Sequence, residues 1–201
     1  GVSALVRTFS VRIASAQPQA GEDLDLTSFR PVHSIDPAMV TVESNDIGEP
    51  GSGALGVAVD YARNPLVLKS AARDMTDHPV SWRATTELAG VFAFGGRFEV
   101  AGVVPLVTQS GDPPQFSAIE PADGTALGDV RVHGKVFMGA AGRVRFGAAA
   151  ELTLPTASDT QFAGAAGPNA LARALLDYRR GRFHLALNGG ALMRERVRLA
   201  D

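Results

Sequence analysis

The chain of 201 residues contains no cysteine, so disulfide frameworks, thiolate zinc sites and cysteine nucleophiles are excluded. It lacks an excess of charge of either sign: the formal net charge is −2, which provides no basic footprint for nucleic acid. No run of 18 apolar residues occurs, and this leaves no candidate for a transmembrane helix. The mean hydropathy of +0.06 does not exclude transmembrane strands, because alternating apolar and polar residues average out.

Glycine and proline are abundant instead, with 22 and 12 residues. Such a content of helix breakers favours short elements joined by turns, and a hydrophobic fraction of 45% argues against overall disorder. We assign residues 24–201 to one β-barrel domain, which we expect to be incomplete at its C-terminus because the last predicted strand runs into residues 194–199 without a turn. We interpret residues 1–23 as a disordered leader or the remnant of an export signal, since Arg7 and Arg12 precede the small-residue stretch 14–16.

Most of the chain is predicted to form strands separated by two kinds of connection. Tight turns containing glycine are expected at 95–96, 141–142 and 180–181, and long proline-containing loops at 64–79, 108–126 and 155–169. In an up-and-down meander every second connection lies at the same end, so the tight turns share one end of the sheet. Segment 170–179 also fits a helical stripe, but the meander around it favours a strand. The predicted strands are 39–45, 53–63, 80–94, 97–107, 127–140, 143–154, 170–179 and 182–194.

Apolar and polar side chains alternate along these strands, which is the pattern of a sheet with one apolar and one polar face. In 143–154, for example, the even-numbered residues are apolar, whereas Arg145 and Glu151 are odd-numbered. We therefore predict an all-β, antiparallel up-and-down transmembrane β-barrel with about eight strands. The side chains predicted to line its polar lumen are Glu99, Arg131, His133, Lys135, Arg143, Arg145, Glu151, His184 and Asn188.

Alternation alone does not say which face points inward. In an outer-membrane barrel the apolar face contacts lipid, whereas in a soluble barrel it forms the core. The difference in connection length favours the membrane barrel, and so do aromatic residues on the apolar face beside the tight turns. The alternative is a soluble or periplasmic barrel that binds an apolar ligand inside, with Phe98, Phe146 and Phe183 directed inward. The predicted aromatic girdle consists of Phe94, Phe98, Phe146, Tyr178 and Phe183.

Several segments together resemble a known family. They include Ser28-Phe29-Arg30-Pro31, residues 59–67 (VDYARNPLV), residues 127–132 (LGDVRV), Leu154-Pro155-Thr156 and Leu185-Ala186-Leu187-Asn188. Over residues 24–196 the chain resembles the N-terminal β-barrel region of outer-membrane proteins of the OmpA family, of the type found in myxobacteria. The resemblance implies a location in the cell outer membrane and outer-membrane lipid as the partner. Peptidoglycan would be reached through a further domain that these residues do not match.

No motif in the sequence points strongly to catalysis, a cofactor or a metal. Residues 51–56 fit the glycine pattern of a dinucleotide site, but a β-like stretch follows where a helix N-terminus would have to hold the phosphates. The four histidines, His33, His78, His133 and His184, lack metal-ligand spacing. His184 with Asn188, or His133 with Asp129, suggests a barrel-borne hydrolase, but a polar network in the lumen is the favoured interpretation. We therefore predict no enzymatic activity and no cofactor.

Two surface clusters have simple interpretations as well. Asp112, Glu120 and Asp123 lie in a proline-containing loop that lacks the spacing of an EF-hand. Arg179, Arg180 and Arg182 surround a tight turn, where solvated side chains are expected and anionic lipid headgroups are the alternative partner. The sequence therefore predicts an envelope structural protein or a passive pore for small solutes.

Overall fold

The computed structural model describes residues 26, 31–35, 41–70, 74–117, 119–157, 162–165 and 167–194. Over these residues the chain is all-β, and its strands are paired antiparallel throughout. No helix in this part of the chain is long and apolar enough to cross a membrane. The predicted leader 1–23 lies outside the described residues.

The eight strands follow one another along the chain, from residue 53 to residue 193. Segment 170–179, which also fitted a helical pattern, is part of a strand. The strands are β1 Gly53–Lys69, β2 Thr76–Phe94, β3 Phe98–Ser110, β4 Asp123–Leu127, β5 Val130–Ala141, β6 Val144–Leu154, β7 Asn169–Arg180 and β8 Phe183–Met193.

The strands form a single sheet in the order β1-β2-β3-β5-β6-β7-β8, and β4 also pairs with β3. β4 and β5 share one position beside β3, because β4 pairs with residues 106–110 and β5 with residues 98–103. The predicted up-and-down order of antiparallel strands is thus confirmed. The sheet curls into a half-barrel, and within the described residues β1 and β8 form its two edges.

The interruption between β4 and β5 has a cause in the facing strand. Pro105 of β3 has no N–H, and its carbonyl oxygen accepts a hydrogen bond from the N–H of Gly128, at 2.9 Å. The backbone of Pro105 therefore faces the junction between β4 and β5. It can accept a hydrogen bond there through its carbonyl oxygen, but it cannot donate one. The ladder breaks at this point and resumes at the pair Val103–Arg131.

The three tight turns lie together at one end of the sheet, which we call the turn end. The opposite end carries the longer connections and is called the loop end. At the turns, Gly95, Gly96, Gly142 and Gly181 have φ values of 58–66°, the left-handed conformation that glycine adopts without steric cost. The difference in connection length predicted from the sequence is therefore present in the structure.

The curled sheet has a polar concave face and an apolar convex face. Along β2, β3 and β5 the odd-numbered residues are mostly buried, and they include Arg83, Glu87, Glu99 and Arg131. The even-numbered residues of the same strands and the odd-numbered residues of β1 and β8 are mainly apolar and exposed; Leu55, for example, is 93% exposed. This is the reverse of the polarity of a water-soluble sheet, in which the apolar face is covered.

Three strand predictions were wrong. Residues 123–126, predicted to lie in the long loop 108–126, form most of β4 because they pair with residues 107–110 of β3. Residues 41–45, in the predicted strand 39–45, form no strand, because side chains of the concave face satisfy their backbone groups; residues 39–40 lie outside the described residues. β1 continues to Lys69 instead of ending at residue 63. It passes Pro65 through an irregularity at which Asn64 has a φ of 50°, and an edge strand tolerates the missing N–H.

A small apolar cluster lies at the loop end. Leu66, Val80 and Phe162 are buried there with Ile119 and Ala122, and Leu26 and Leu68 pack against them. The cluster joins β1, β2 and the long connections, so it fixes these connections at the loop end of the sheet.

Candidate functional site

The concave face is the candidate functional site, because it holds most of the buried charge of the protein. Glu99 is 1% exposed, and Arg131, His133 and Lys135 are each 4% exposed or less. Burial of charged groups costs free energy unless each one is paired or hydrogen-bonded. The arrangement of partners therefore decides what this face can do.

An irregular stretch, residues 41–48, lies against the concave face, and we call it the inner segment. Its Glu43 is fully buried. The Glu43 carboxylate contacts His133 Nε2 at 2.7 Å and an Arg173 guanidinium nitrogen at 3.5 Å. The Asn188 side chain accepts a hydrogen bond from the Glu43 N–H at 2.8 Å and donates one to the Glu43 carbonyl oxygen at 2.9 Å. Glu43 thereby links three strands: β5, β7 and β8.

Asn45 and Asp46 of the inner segment reach the turn end of the concave face. The N–H of Asn45 donates to the carboxylate of buried Asp177 at 2.7 Å. Asp46 forms ion pairs with Arg145, at 2.7 Å, and with Arg179. Lys135 donates to the Asp46 carbonyl oxygen at 2.7 Å. The inner segment is thus held by charge-assisted hydrogen bonds from β5, β6 and β7.

A second group of ion pairs lies deeper in the concave face. Lys135 Nζ is 3.3 Å from Glu99 Oε1, and both side chains are fully buried. Arg131 contacts Glu87 at 2.5 Å and Glu151 at 3.8 Å. These pairs join β2, β3, β5 and β6 across the interior.

Residues 33 and 34 also contact this group of ion pairs. His33 Nε2 is 2.7 Å from Glu87, and Ser34 Oγ accepts a hydrogen bond from Lys135 at 2.6 Å. Leu26 lies in the apolar cluster at the loop end, and the N–H of Gly51 donates to the Ala93 carbonyl oxygen at the turn end. Residues 33–34 and the inner segment therefore occupy space on the concave side of the sheet.

A glycine permits the close approach of the inner segment to β6. A Cβ at position 147 would lie 2.5 Å from the Val136 carbonyl oxygen and even closer to Asn45 Oδ1. Gly147 lies between Arg145 and Ala149 on the concave face, where any side chain would displace the inner segment. Alternation in the sequence predicted the polar face, but nothing in the sequence indicated that position 147 has to be glycine.

Two buried carboxylates order the connections at the loop end. Asp77 accepts hydrogen bonds from the N–H groups of Gln115, Phe116 and Ser117 at 2.8–3.3 Å. Burial raises the pKa of Asp77, but these backbone hydrogen bonds, with Gln115 contributing most, outweigh it and lower the pKa to about 2. Asp129 accepts hydrogen bonds from the N–H groups of Thr156, Ala157 and Ala165 in the same way.

The other residues predicted for the polar face occupy different surroundings. Arg143 lies in the turn between β5 and β6 and is exposed, because the turn places it beyond the end of the concave face. His184 is about one third exposed, and its Nε2 is 3.7 Å from Asp177. Arg145 lies 4.8 Å from the ring centre of Phe137, in addition to its pairing with Asp46.

The aromatic residues predicted as a girdle lie on the convex face near the turn end. Phe94 and Phe98 stack with ring centres 5.4 Å apart, and Tyr178 contacts Phe183 edge-on at 6.3 Å. Phe146, 39% exposed, also lies on this face. A third aromatic pair, Tyr61 and Trp82, stacks at 6.4 Å near the loop end. The sequence analysis missed this pair, although the alternation in 53–63 and 80–94 places both residues on the apolar face.

The residues considered for hydrolysis are engaged in other contacts. Asn188 binds the Glu43 backbone, His133 binds the Glu43 side chain, and Asp129 binds loop N–H groups. The glycine-rich residues 51–56 form a turn and the beginning of β1. Within the described part of the chain, no three histidine, aspartate or glutamate side chains are grouped to hold a metal ion. The geometry is that of a charge-paired scaffold along the concave face.

Comparison of the chain with protein-family models, with curated proteins and with solved structures finds no match.

Proposed function

We propose that the protein is an outer-membrane β-barrel with a structural role in the cell envelope. Its convex face would contact lipid, and its interior would be filled by the ion-paired concave face and the inner segment. The observation that carries this proposal is the inverted polarity of the sheet, in which charged side chains are buried while leucine, valine and phenylalanine are exposed.

The exposed apolar residues form a continuous surface, not isolated contacts with water. Neighbouring strands contribute Val57 and Val59 from β1, Leu88 from β2, and Val100 and Val104 from β3, each at least 39% exposed. Continuous exposed apolar patches of this kind are typical of surfaces that contact a membrane or another protein. A lipid bilayer covers such a face without a specific partner.

The aromatic residues near the two ends of β2 provide a measure of the thickness of the apolar face. Trp82 and Phe94 lie twelve residues apart on the same face of β2, about 40 Å along a strand. With a strand tilt of about 40°, this becomes about 30 Å along the barrel axis. A bilayer has a hydrocarbon core about 30 Å thick. The aromatic residues at both ends would therefore lie at the two membrane interfaces.

Closure of the sheet is a further requirement of the proposal. The backbone N–H and C=O groups at a strand edge cannot be left unpaired in lipid. β1 and β8 occupy the first and last of seven antiparallel positions, so they run in the same direction. A closed barrel with antiparallel pairs throughout therefore needs an odd number of additional strands between these two edges.

The filled interior favours a structural role over a pore. Glu43, Ser44 and Asn45 of the inner segment are at most 1% exposed and occupy the space that a channel would need. The alternative, a soluble barrel with an apolar ligand inside, required Phe98, Phe146 and Phe183 to point inward. These residues lie on the convex face, and a hollow of about 500 Å³ lined by residues such as Leu55, Phe92 and Val100 also lies on the outside.

Refolding into neutral phospholipid vesicles tests the proposal. A closed membrane barrel should show a faster gel mobility before boiling than after it. Trp82 is the only tryptophan, so its fluorescence reports one depth. We expect lipids brominated near the headgroup to quench Trp82 more strongly than lipids brominated at the chain end. A β-rich monomer that folds in plain buffer, with no mobility shift in lipid, would contradict the proposal.

A further inference from the structure

The three tight turns carry the same residue in the same place. Arginine directly follows glycine in Gly96-Arg97, Gly142-Arg143 and Gly181-Arg182, and Arg180 precedes the last of these glycines. We call Arg97, Arg143, Arg180 and Arg182 the turn-end arginines. All four are exposed.

The turn-end arginines differ from the other arginines at this end in their partners. Arg145 and Arg179 form ion pairs with Asp46. No ion pair of the turn-end arginines occurs among the residues that the structure describes. Within the described part of the chain, the exposed acid at this end is Glu49, which lies in the turn before β1. Four exposed cations and one exposed anion therefore lie at this end among these residues.

The positions of these arginines relative to the aromatic residues are regular. Arg97 directly precedes Phe98, Arg182 directly precedes Phe183, and Arg143 lies three residues before Phe146. The three turns connect successive pairs of neighbouring strands, so adjacent turns are about 10 Å apart. A row of guanidinium groups therefore lies just beyond the aromatic residues, at the level where lipid headgroups would meet the barrel.

We propose that the turn-end arginines bind the phosphate groups of anionic lipid headgroups in the leaflet that surrounds the turn end. This inference rests on the proposed membrane location and adds the class of lipid and the end of the barrel that it contacts. Guanidinium groups suit this partner, because their planar N–H donors form paired hydrogen bonds with phosphate oxygens. A negative membrane surface attracts each such cation.

Among the residues that the structure describes, the loop end offers no comparable surface. Its exposed cations, Arg63, Lys69 and Arg194, share that end with four exposed acids, Asp74, Asp112, Glu120 and Asp123. The mixed charge provides little attraction for an anionic surface. The three loop-end cations therefore supply a matched control for the removal of three turn-end arginines.

The test uses the full chain folded in zwitterionic micelles, with phosphatidylglycerol or phosphatidylcholine added and retained lipid measured by native mass spectrometry. The turn-end variant combines Arg97→Gln, Arg143→Gln and Arg182→Gln. The control variant combines Arg63→Gln, Lys69→Gln and Arg194→Gln. The mobility shift between unboiled and boiled samples verifies that each variant is folded.

We expect the wild type to retain phosphatidylglycerol in preference to phosphatidylcholine. Each turn-end arginine should contribute about fivefold at low ionic strength, so the turn-end variant, which lacks three of them, should lose about a hundredfold in affinity. The control variant should lose less than about twofold. Added salt should reduce the preference of the wild type, because screening weakens exposed charge pairs.

Three results would overturn the inference while leaving the membrane proposal intact: folding in lipid without any preference for phosphatidylglycerol, equal losses in both variants, or complete displacement of the lipid by equimolar inorganic phosphate. The last result would indicate that the turn-end arginines bind free phosphate and not lipid headgroups. Failure of the wild type to fold in micelles and in vesicles would contradict the membrane proposal and this inference together.

Discussion

The side chain of Asn188 binds both backbone polar groups of Glu43, as a neighbouring strand would. Its amide oxygen accepts from the Glu43 N–H at 2.8 Å, and its amide nitrogen donates to the Glu43 carbonyl oxygen at 2.9 Å. One side chain of β8 thus replaces two ladder hydrogen bonds. This explains how the inner segment lies along the concave face without joining the sheet.

Asn188→Asp should weaken this attachment, because a carboxylate cannot donate to the Glu43 carbonyl oxygen. We expect a loss of about 1–3 kcal/mol in the free energy of unfolding, the usual cost of leaving a buried polar group unsatisfied. Urea unfolding in detergent micelles measures this quantity. Asn64→Asp makes the same chemical change at an exposed residue and should have little effect. Equal effects of the two substitutions would contradict the assigned role of Asn188.

Gly147→Ala tests whether the inner segment is packed as closely as the structure shows. A Cβ at this position overlaps Asn45 Oδ1 and the Val136 carbonyl oxygen, so the inner segment would have to move. Overpacking of this kind costs about 1–3 kcal/mol, and protease cleavage within residues 41–48 should become faster. Gly134→Ala on β5 is the control, because its Cβ would meet no atom within 4 Å. Unchanged cleavage in Gly147→Ala would mean that residues 41–48 do not lie against β6.

The strands and the two faces could be predicted because they depend on local pattern. Alternation in 143–154 identified the concave position of Arg145, and glycine identified the three tight turns. The ion pair between Glu99 and Lys135 could not be predicted, since it depends on the register of β3 against β5 across a long connection. The same is true of residues 41–45, whose partners Asp177 and Asn188 lie more than 130 residues away.

The buried pair of Lys135 and Glu99 should be sensitive to the loss of either partner. Lys135→Met leaves the Glu99 carboxylate buried without its cation, and it also removes the donor to Ser34 and to the Asp46 carbonyl oxygen. We expect a loss of about 3–5 kcal/mol in unfolding free energy. The double variant Lys135→Met with Glu99→Gln should recover part of this loss. If the two effects simply add, the pair is not coupled as the structure indicates.

Val104→Arg distinguishes a lipid-facing convex face from a water-facing one. Val104 pairs with Leu88, halfway between the aromatic residues at the two ends of β2. In a bilayer, an arginine at this depth should lower the free energy of unfolding by about 2–4 kcal/mol. Thr108→Arg, near the level of Trp82, should lower the free energy of unfolding by about 1 kcal/mol or less. Folding in vesicles, followed by the gel mobility shift, measures both values. Equal tolerance of the two arginines would indicate that water covers the convex face.

The hydrogen bonds of Asp77 predict how the loop end responds to acid. Asp77 lies between Trp82 and the loop end, outside the part of β2 that is proposed to cross the membrane. The pKa of Asp77 is lowered from the ordinary aspartate value of 3.8 to about 2 in the folded protein. The ionised Asp77 carboxylate therefore stabilises the folded state fully above pH 3.8, and this stabilisation is lost as the pH falls through about 2. The amide NMR shifts of Gln115 and Ser117 should therefore titrate with a midpoint near 2. Asp77→Asn should abolish this titration and speed cleavage at 115–117 at neutral pH, whereas Asp112→Asn, in the same connection, should do neither. A midpoint near 3.8 in the wild type would show that the carboxylate does not hold these three N–H groups.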